Sequence, residues 1–438
     1  MSWAADEFAD LDLGDKRLNR RMVKLAEQFA RQPMASIPGA CVDWADTQAA
    51  YRFFASKDID WRDILEPHWE STQRRMSEHP VVLCLQDPTE LDFNGQGIFG
   101  LGRLSYEAQR GMYLHPTYAV TPDREPLGVL DAWMWARAEK DSPQAAEEPV
   151  ESLRWIEGYE RVADQAVSLP DTRLVYVADR EGDILDLMQR ASDLGHPADW
   201  LIRSKHNRTL GKRRKLWDEV TAQPPLGTLR FTLNSRPGQP ARVVDQQVWT
   251  RRVEIAPNLL VTCVVAREIN PPPGVKSLEW RLLTNREGID FAAASQLIDW
   301  YRARWEIELL FHVVKNACRV EALQLSTMAR LERALAVFLV VGWRIARLMR
   351  LGRTCPDLPA EMFFEPDEWK AAYILRQKPV PKEPPALNQV IRLIASLGGF
   401  LGRKGDGEPG VKTLWLGLQR IADFALGLRY ARTTTDTS

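Results

Sequence analysis

Tyr301, Arg304, Glu308 and Lys315 stand three, four and seven residues apart in "YRARWEIELLFHVVK", among isoleucines, leucines and valines. On a helix turning ~100° per residue the four fall within a stripe roughly 60° wide. A stripe of hydroxyl, guanidinium, carboxylate and ammonium is the solvated face of most amphipathic helices. It is also a face that could hold phosphate and metal. Two further carboxylates bear on that choice. Asp87 closes the apolar run "VVLCLQD" and Asp179 closes "RLVYVAD". Carboxyl ends of strands are where open sheets bind ligands, although an Asp there is also a common turn residue. With Glu308, the three carboxylates form an all-oxygen donor set with no nearby Cys or His cluster. Such a set suits Mg²⁺, with Mn²⁺ as substitute. Two such ions can activate a nucleophile and stabilise the leaving oxygen at one phosphodiester. Asp92, Glu181 and Asp183 are rival carboxylates in the same two neighbourhoods.

The partner is suggested by local charge. The chain of 438 residues has net charge −1, which by itself says nothing for nucleic acid. "KRLNRRMVKLAEQFAR", 16–31, nevertheless holds six basic residues against Glu27 alone. Its Arg17, Arg20, Arg21 and Lys24 lie in near-helical register opposite Leu18, Met22, Leu25 and Phe29. "RSKHNRTLGKRRK", 203–215, holds seven basic residues and no acid, Arg203 and Lys205 among them. Basic runs are most often solvated surface, but two in a balanced chain raise an anionic polymer as partner.

The elements that must position these groups follow from pattern. Residues 1 to 65 read as helical, and "VVLCLQD" as a buried strand. "GMYLHPTYAVTP" and "PLGVLDAWMWARA" form an antiparallel pair turning at "DREP". An acidic loop, "EKDSPQAAEEP", precedes a helix near 150–168, then come the "RLVYVAD" and "DWLIRSKH" strands. Three strands followed by helix, strand, helix, strand is the order of a ribonuclease-H-like mixed sheet in an α/β protein. A β-rich insertion occupies about 208–285, and "ALAVFLVVGW", 334–343, is too short to span a bilayer and reads as a core helix. The expected domains are 1–65, helical; 66–350, catalytic with the insertion; and 351–438, helical.

"GQGIFG" at 95–100 matches a dinucleotide fingerprint but lacks the following helix, so it reads as a loop. No phosphate-binding G-x-x-x-x-G-K-[ST] occurs, and no nucleotide cofactor is expected. His206 beside Lys205 joins a basic surface rather than a metal site. The five cysteines are scattered singly and no secretion signal opens the chain, so a reducing, cytoplasmic setting is expected with no membrane partner.

The stripe fits Y-x(2)-R-x(3)-E-x(6)-K, the signature of bacterial cut-and-paste DDE transposases of the IS-four group, and the wider chain resembles their Tn-five type. "LCLQDPTELDF", "VADREGDI" and "WLIRSKH" are similar to the family's catalytic strands, and "REINPPPGVKSLEWRLLTN" to the end of its β insertion. "LGDKRLNRRMVKLA" resembles its DNA-binding helix, and the tail from "LGGFLGRKGDGEPG" its dimerising region. The resemblance implies that Asp87, Asp179 and Glu308 bind two Mg²⁺ ions as catalytic triad. It implies that Tyr301, Arg304 and Lys315 hold phosphate, that Arg203 and Lys205 contact DNA, and that Trp280 stacks on a flipped base during hairpin formation. Arg17, Arg20, Arg21 and Lys24 would bind transposon-end DNA. The implied partners are double-stranded end and target DNA and a second copy of the chain, in a bacterial nucleoid. Two other readings explain part of the pattern: a non-transposing nuclease of the same fold, and a catalytically silent DNA-binding descendant. A glycosidase would explain the carboxylates but neither basic segment.

Overall fold

The computed structural model describes residues 2–106, 108–138, 151–211, 214–233 and 241–435. The acidic "EKDSPQAAEEP" segment lies outside them, as do Lys212 and Arg213 of the second basic run. Along the chain, five helices come first: α1 (Trp3–Glu7), α2 (Lys16–Arg31), α3 (Ile37–Ala40), α4 (Trp44–Ala55) and α5 (Trp61–Met76). Strands β1 (Val81–Gln86), β2 (Thr89–Asp92), β3 (Gly102–Arg103), β4 (Arg110–Val120) and β5 (Pro126–Trp135) follow. Then come α6 (Glu151–Ser168), β6 (Arg173–Ala178), α7 (Leu185–Asp193), β7 (Asp199–Arg203) and α8 (Leu216–Thr221). The insertion supplies β8 (Gly227–Leu233), β9 (Arg242–Ala256), β10 (Leu259–Glu268) and β11 (Glu279–Thr284). The chain ends in α9 (Phe291–Ala303), α10 (Trp305–His312), α11 (Met328–Thr354), α12 (Pro366–Leu375), α13 (Leu387–Leu397) and α14 (Val411–Thr435). It is a mixed α/β fold with helical N- and C-terminal regions.

The chain divides into two compact units. One comprises Met76–Asp87 and Pro149–Trp305. Its strands run in the order β1-β6-β7-β11-β10-β9-β8. β1, β6 and β7 are mutually parallel and the rest antiparallel. β1 and β6 are buried at every position after the first, as unbroken Val/Leu runs covered on both faces must be. Helix α6 approaches the end of β1 closely at Gly158, where a Cβ would stand 2.1 Å from the Gln86 amide. Buried Gln86 bonds Tyr176 and the Arg154 carbonyl, which pins the last residue of β1 just before Asp87.

The other unit comprises Met1–Arg75, Pro88–Glu148 and Glu306–Ser438. β4 and β5 form its hairpin, with β2 and β3 also on β4. The turn at "DREP" places Arg124 at φ 69°, and the Thr121 amide donates to the Glu125 carbonyl. The core is α11, whose Ala334–Trp343 stretch is buried throughout. Phe338 stacks on Phe29 of α2 at 4.7 Å. Among the described residues no helix is long and apolar enough to cross a membrane.

A buried charge cluster locks α1 and α5 onto β5. Glu7 takes His68 Nδ1 at 2.5 Å and Arg75 Nη1 at 2.9 Å, while His68 Nε2 accepts the Val129 amide at 3.0 Å. Burial works to raise the Glu7 carboxyl, but His68 and Arg75 overcome it and hold the pKa down to about 2, against an ordinary 4.5. A depressed carboxylate stabilises the fold above its unfolded pKa and loses that contribution as pH falls through the folded one. Glu7→Gln is therefore expected to lower stability by about 2–4 kcal/mol at pH 7. The gap to the native chain should close between pH 4.5 and about 2. Denaturant melts of both proteins across that window check this, and a gap that stays constant refutes it.

Candidate active site and nucleic-acid interface

β1 and β6 pair in parallel with Gln86 opposite Ala178, so Asp87 and Asp179 are the next residues at neighbouring strand ends. Adjacent strands lie ~4.8 Å apart, close enough for two carboxylates to share a cation. In turn Ala178 is opposite Ile202, which sets Arg203 at the end of the next strand. Its Nη1 stands 3.7 Å from Asp179 Oδ1. Helix α9, capped at its start by the Asp290 side chain, carries Tyr301 at its last turn. The Tyr301 hydroxyl donates to Asp179 Oδ1 at 3.0 Å. One residue past the helix, Arg304 Nη1 donates to Asp87 Oδ2 at 2.7 Å. Tyr301 and Arg304 are buried, at 4% exposure each, whereas Asp87 and Asp179 are half-buried. Burial, then the Asp179 charge, push the Tyr301 phenol well up, so it stays a hydrogen-bond donor at neutral pH.

The stripe is not carried by one uniform helix, as its spacing suggests. α9 ends at Ala303, Arg304 is a turn, α10 covers Trp305–His312, and Val313–Ala317 is a π-helical segment. There the Cys318 amide reaches back five residues to the Val313 carbonyl at 2.9 Å, which offsets Lys315 from ideal 3.6-residue register. Glu308 and Lys315 belong to the other unit, in its segment Glu306–Ser438. Glu308 is half-buried, and Lys315 Nζ lies 3.9 Å from Glu321 Oε1. The neighbouring acid Glu306 is buried and doubly bonded by Arg350, so it is a structural partner.

The rival carboxylates have other work. Asp183, 3% exposed, accepts the Lys205 and His206 amides at 2.6 and 2.9 Å and pairs with Arg208 at 2.6 Å. It thus anchors the loop leaving β7 and holds the Lys205 backbone, while the Lys205 side chain is exposed. Asp92 accepts the Asn94 amide and Gln109, and Glu181 is exposed. "GQGIFG" is a loop, as expected. Among the described residues no three His, Cys, Asp or Glu gather into a metal cluster. The donor chemistry of the Asp87–Asp179 pair, oxygen only and at adjacent strand ends, fits a hard divalent cation.

Trp280 lies on β11 opposite Ala266 and is half-buried, its ring stacked on Phe231 at 5.7 Å. Leu282 is paired with Arg203, so Trp280, two residues earlier, shares the sheet face of Arg203. Two residues escaped sequence reasoning. Arg281, whose guanidinium lies 3.7 Å from the Trp217 ring centroid, lines a cavity of about 490 Å³ with Arg180, Arg203, Lys205 and Lys276. A lone Arg in a strand and a lone Trp in a short helix carry no local signal of each other.

In the helical unit, α2 puts Met22, Leu25 and Phe29 at 0% exposure and leaves Arg17 and Arg20 exposed. Arg17 pairs with its own cap, Asp15, at 2.9 Å. Arg21 and Lys24 instead converge on Asp46 of α4. Burial would raise the Asp46 carboxyl, but Lys24, Gln28 and Arg21 hold it far below the usual range.

Three family models match the chain. One described as transposase DNA-binding matches residues 1–59, one described as transposase DDE domain matches 160–341, and one described as transposase Tn5 dimerisation domain matches 340–438. Among solved structures, the chain is similar to a cryo-EM structure of piggyBac transposase in a synaptic complex with hairpin DNA. The identity is 8%, the match covers 99% of this chain and 80% of that one, and the TM-score is 0.41.

Proposed function

We infer the reaction from one premise: this chain belongs to the Tn5-like DDE transposases, and it is a DNA transposase that depends on divalent metal, binds DNA and dimerises. We propose that it binds inverted repeats at transposon ends through the module of residues 1–65. The catalytic module, 66–350, cuts them, and 351–438 pairs two end-bound copies. The observation that carries this reading is the placement of Asp87 and Asp179 at neighbouring ends of parallel strands, each gripped by a residue of the signature.

Asp87, Asp179 and Glu308 are the proposed ligands of two Mg²⁺ ions, with Mn²⁺ as substitute. Ions held there supply charge stabilisation to the attacking and leaving oxygens. Arg304 and Tyr301 orient the two aspartates, each donating one hydrogen bond to a carboxylate oxygen. Arg203, Lys205 and Lys315 hold the flanking phosphates. Water attacks one phosphodiester at the transposon end and frees a 3′-hydroxyl. That hydroxyl attacks the opposite strand and closes a hairpin, water reopens it, and the same 3′-hydroxyl attacks target DNA. Trp280, on the Arg203 face of the sheet, stacks the base that is extruded when the hairpin bends the strand. The setting is a bacterial nucleoid.

The test is a duplex carrying the inverted repeat that flanks this coding sequence. With Mg²⁺ the purified protein is expected to give a nick and then a hairpin on that duplex, and a chelator should abolish both while end binding persists. A plain nuclease of this fold would nick without closing hairpins. A silent DNA-binding relative would bind and cut nothing.

A further inference from the structure

Two cations of the basic helix α2 are set against a buried anion of α4. Asp46 is 5% exposed. Its Oδ1 takes Lys24 Nζ at 2.6 Å and Arg21 Nη1, and its Oδ2 takes Gln28 Nε2 at 2.5 Å and the Val42 amide at 3.3 Å. The Asp46 backbone is itself seated by the Asp43 cap, whose Oδ1 accepts the Asp46 amide at 2.7 Å. The two cations are not buried with it, since the Arg21 and Lys24 side chains are 26% and 47% exposed. Each therefore turns one side to a fixed internal carboxylate and keeps further donors toward solvent.

We propose that Asp46 is a positioning residue that competes with DNA phosphate for Arg21 and Lys24, so that α2 binds DNA with a fixed geometry and a reduced phosphate count. The salt dependence of DNA affinity counts the phosphates that a protein's cations neutralise. A cation already matched by an internal carboxylate releases fewer counterions from DNA when it reaches a phosphate. Arg20 is exposed and bonded through Nε to the Lys16 carbonyl; among the described residues it forms no ion pair with a buried carboxylate, and Asp15 acts on it only at longer range. Holding Arg21 and Lys24 in place trades affinity for any duplex against a single register on the right one, because phosphate contacts position while base contacts specify.

The inference rests on the reading that α2 faces DNA, and the experiment separates the two. Binding of the full chain to a random-sequence duplex is measured from low to moderate salt. Arg20→Gln is expected to flatten the log–log slope by about 0.9, the value for one phosphate contact. An unchanged slope would remove α2 from the DNA surface and the proposal with it. Lys24→Gln, at a largely solvated side chain, should flatten the slope by less than half of that ~0.9. Asp46→Asn should steepen the slope by up to ~1.8, about 0.9 per cation released, and tighten binding to random duplex at low salt. In the Asp46→Asn background, Lys24→Gln should then cost a full ~0.9. A full loss on Lys24→Gln in the native chain overturns the proposal even if Asp46→Asn fails to fold. So does a folded Asp46→Asn protein, judged by its circular dichroism melt, whose slope is unchanged or flatter.

Discussion

Asp87→Asn, Asp179→Asn and Glu308→Gln are each expected to lower end cleavage on the order of 10³-fold or more, the scale on which losing one member of a catalytic unit acts. End binding should stay within a few fold, because affinity comes from phosphate contacts far more than from the cutting site. Amides are the informative replacements here. An alanine at 87 would remove the acceptor that the buried Arg304 guanidinium holds at 2.7 Å, and truncating one member of a buried pair destabilises the fold as well as the site. An asparagine keeps an oxygen within reach of Arg304 at 87, or of Tyr301 at 179, while removing the charge that a divalent cation requires. Loss of activity then reports on metal binding rather than on folding. The measurement is strand cleavage on a labelled end duplex in Mg²⁺, with gel-shift binding beside it. A variant that nicks at the native rate removes its residue from the proposed triad.

Trp280→Ala is the second large effect, and it separates steps that a triad variant abolishes together. The first nick should proceed, and hairpin closure should slow by roughly 5- to 150-fold, the rate equivalent of 1–3 kcal/mol of base stacking. Trp280 also stacks on Phe231, so some of the change could come from repacking of the insertion. Trp280→Phe addresses that, since a smaller ring keeps both the Phe231 contact and a stacking platform and should fall between the native chain and the alanine variant. An abasic site at the extruded position should partly restore closure by Trp280→Ala, because no base then has to leave the stack. Native closure rates in Trp280→Ala, or no rescue by the abasic duplex, would end the stacking role.

Much of this was legible in the sequence because it depends on local period and chain order. Unbroken Val/Leu runs ending in Asp located the central parallel strands and, with them, Asp87 and Asp179. The 3.6-residue period of Met22, Leu25 and Phe29 gave the buried face of α2, and the "DREP" turn gave the β4–β5 hairpin. The spacing of Tyr301, Arg304, Glu308 and Lys315 marked a signature that needs only one stretch of chain.

Tertiary structure alone decided which charges are partners. Nothing near "RWEIE" distinguishes its two glutamates, yet Glu306 is buried against Arg350, 44 residues away, while Glu308 is half-buried. Asp183 has the look of a ligand beside Asp179, but the backbone amides that it anchors lie 22 and 23 residues on. Arg21 and Lys24 look as available as Arg20 until α4 folds Asp46 beneath them. The π segment at Val313–Ala317 likewise breaks the register that a uniform helix implies. The physical reason is common to the three charge pairings. Periodicity reports which face of an element is apolar, whereas the pairing of a buried charge is set by desolvation, which exists only once distant segments have closed over it.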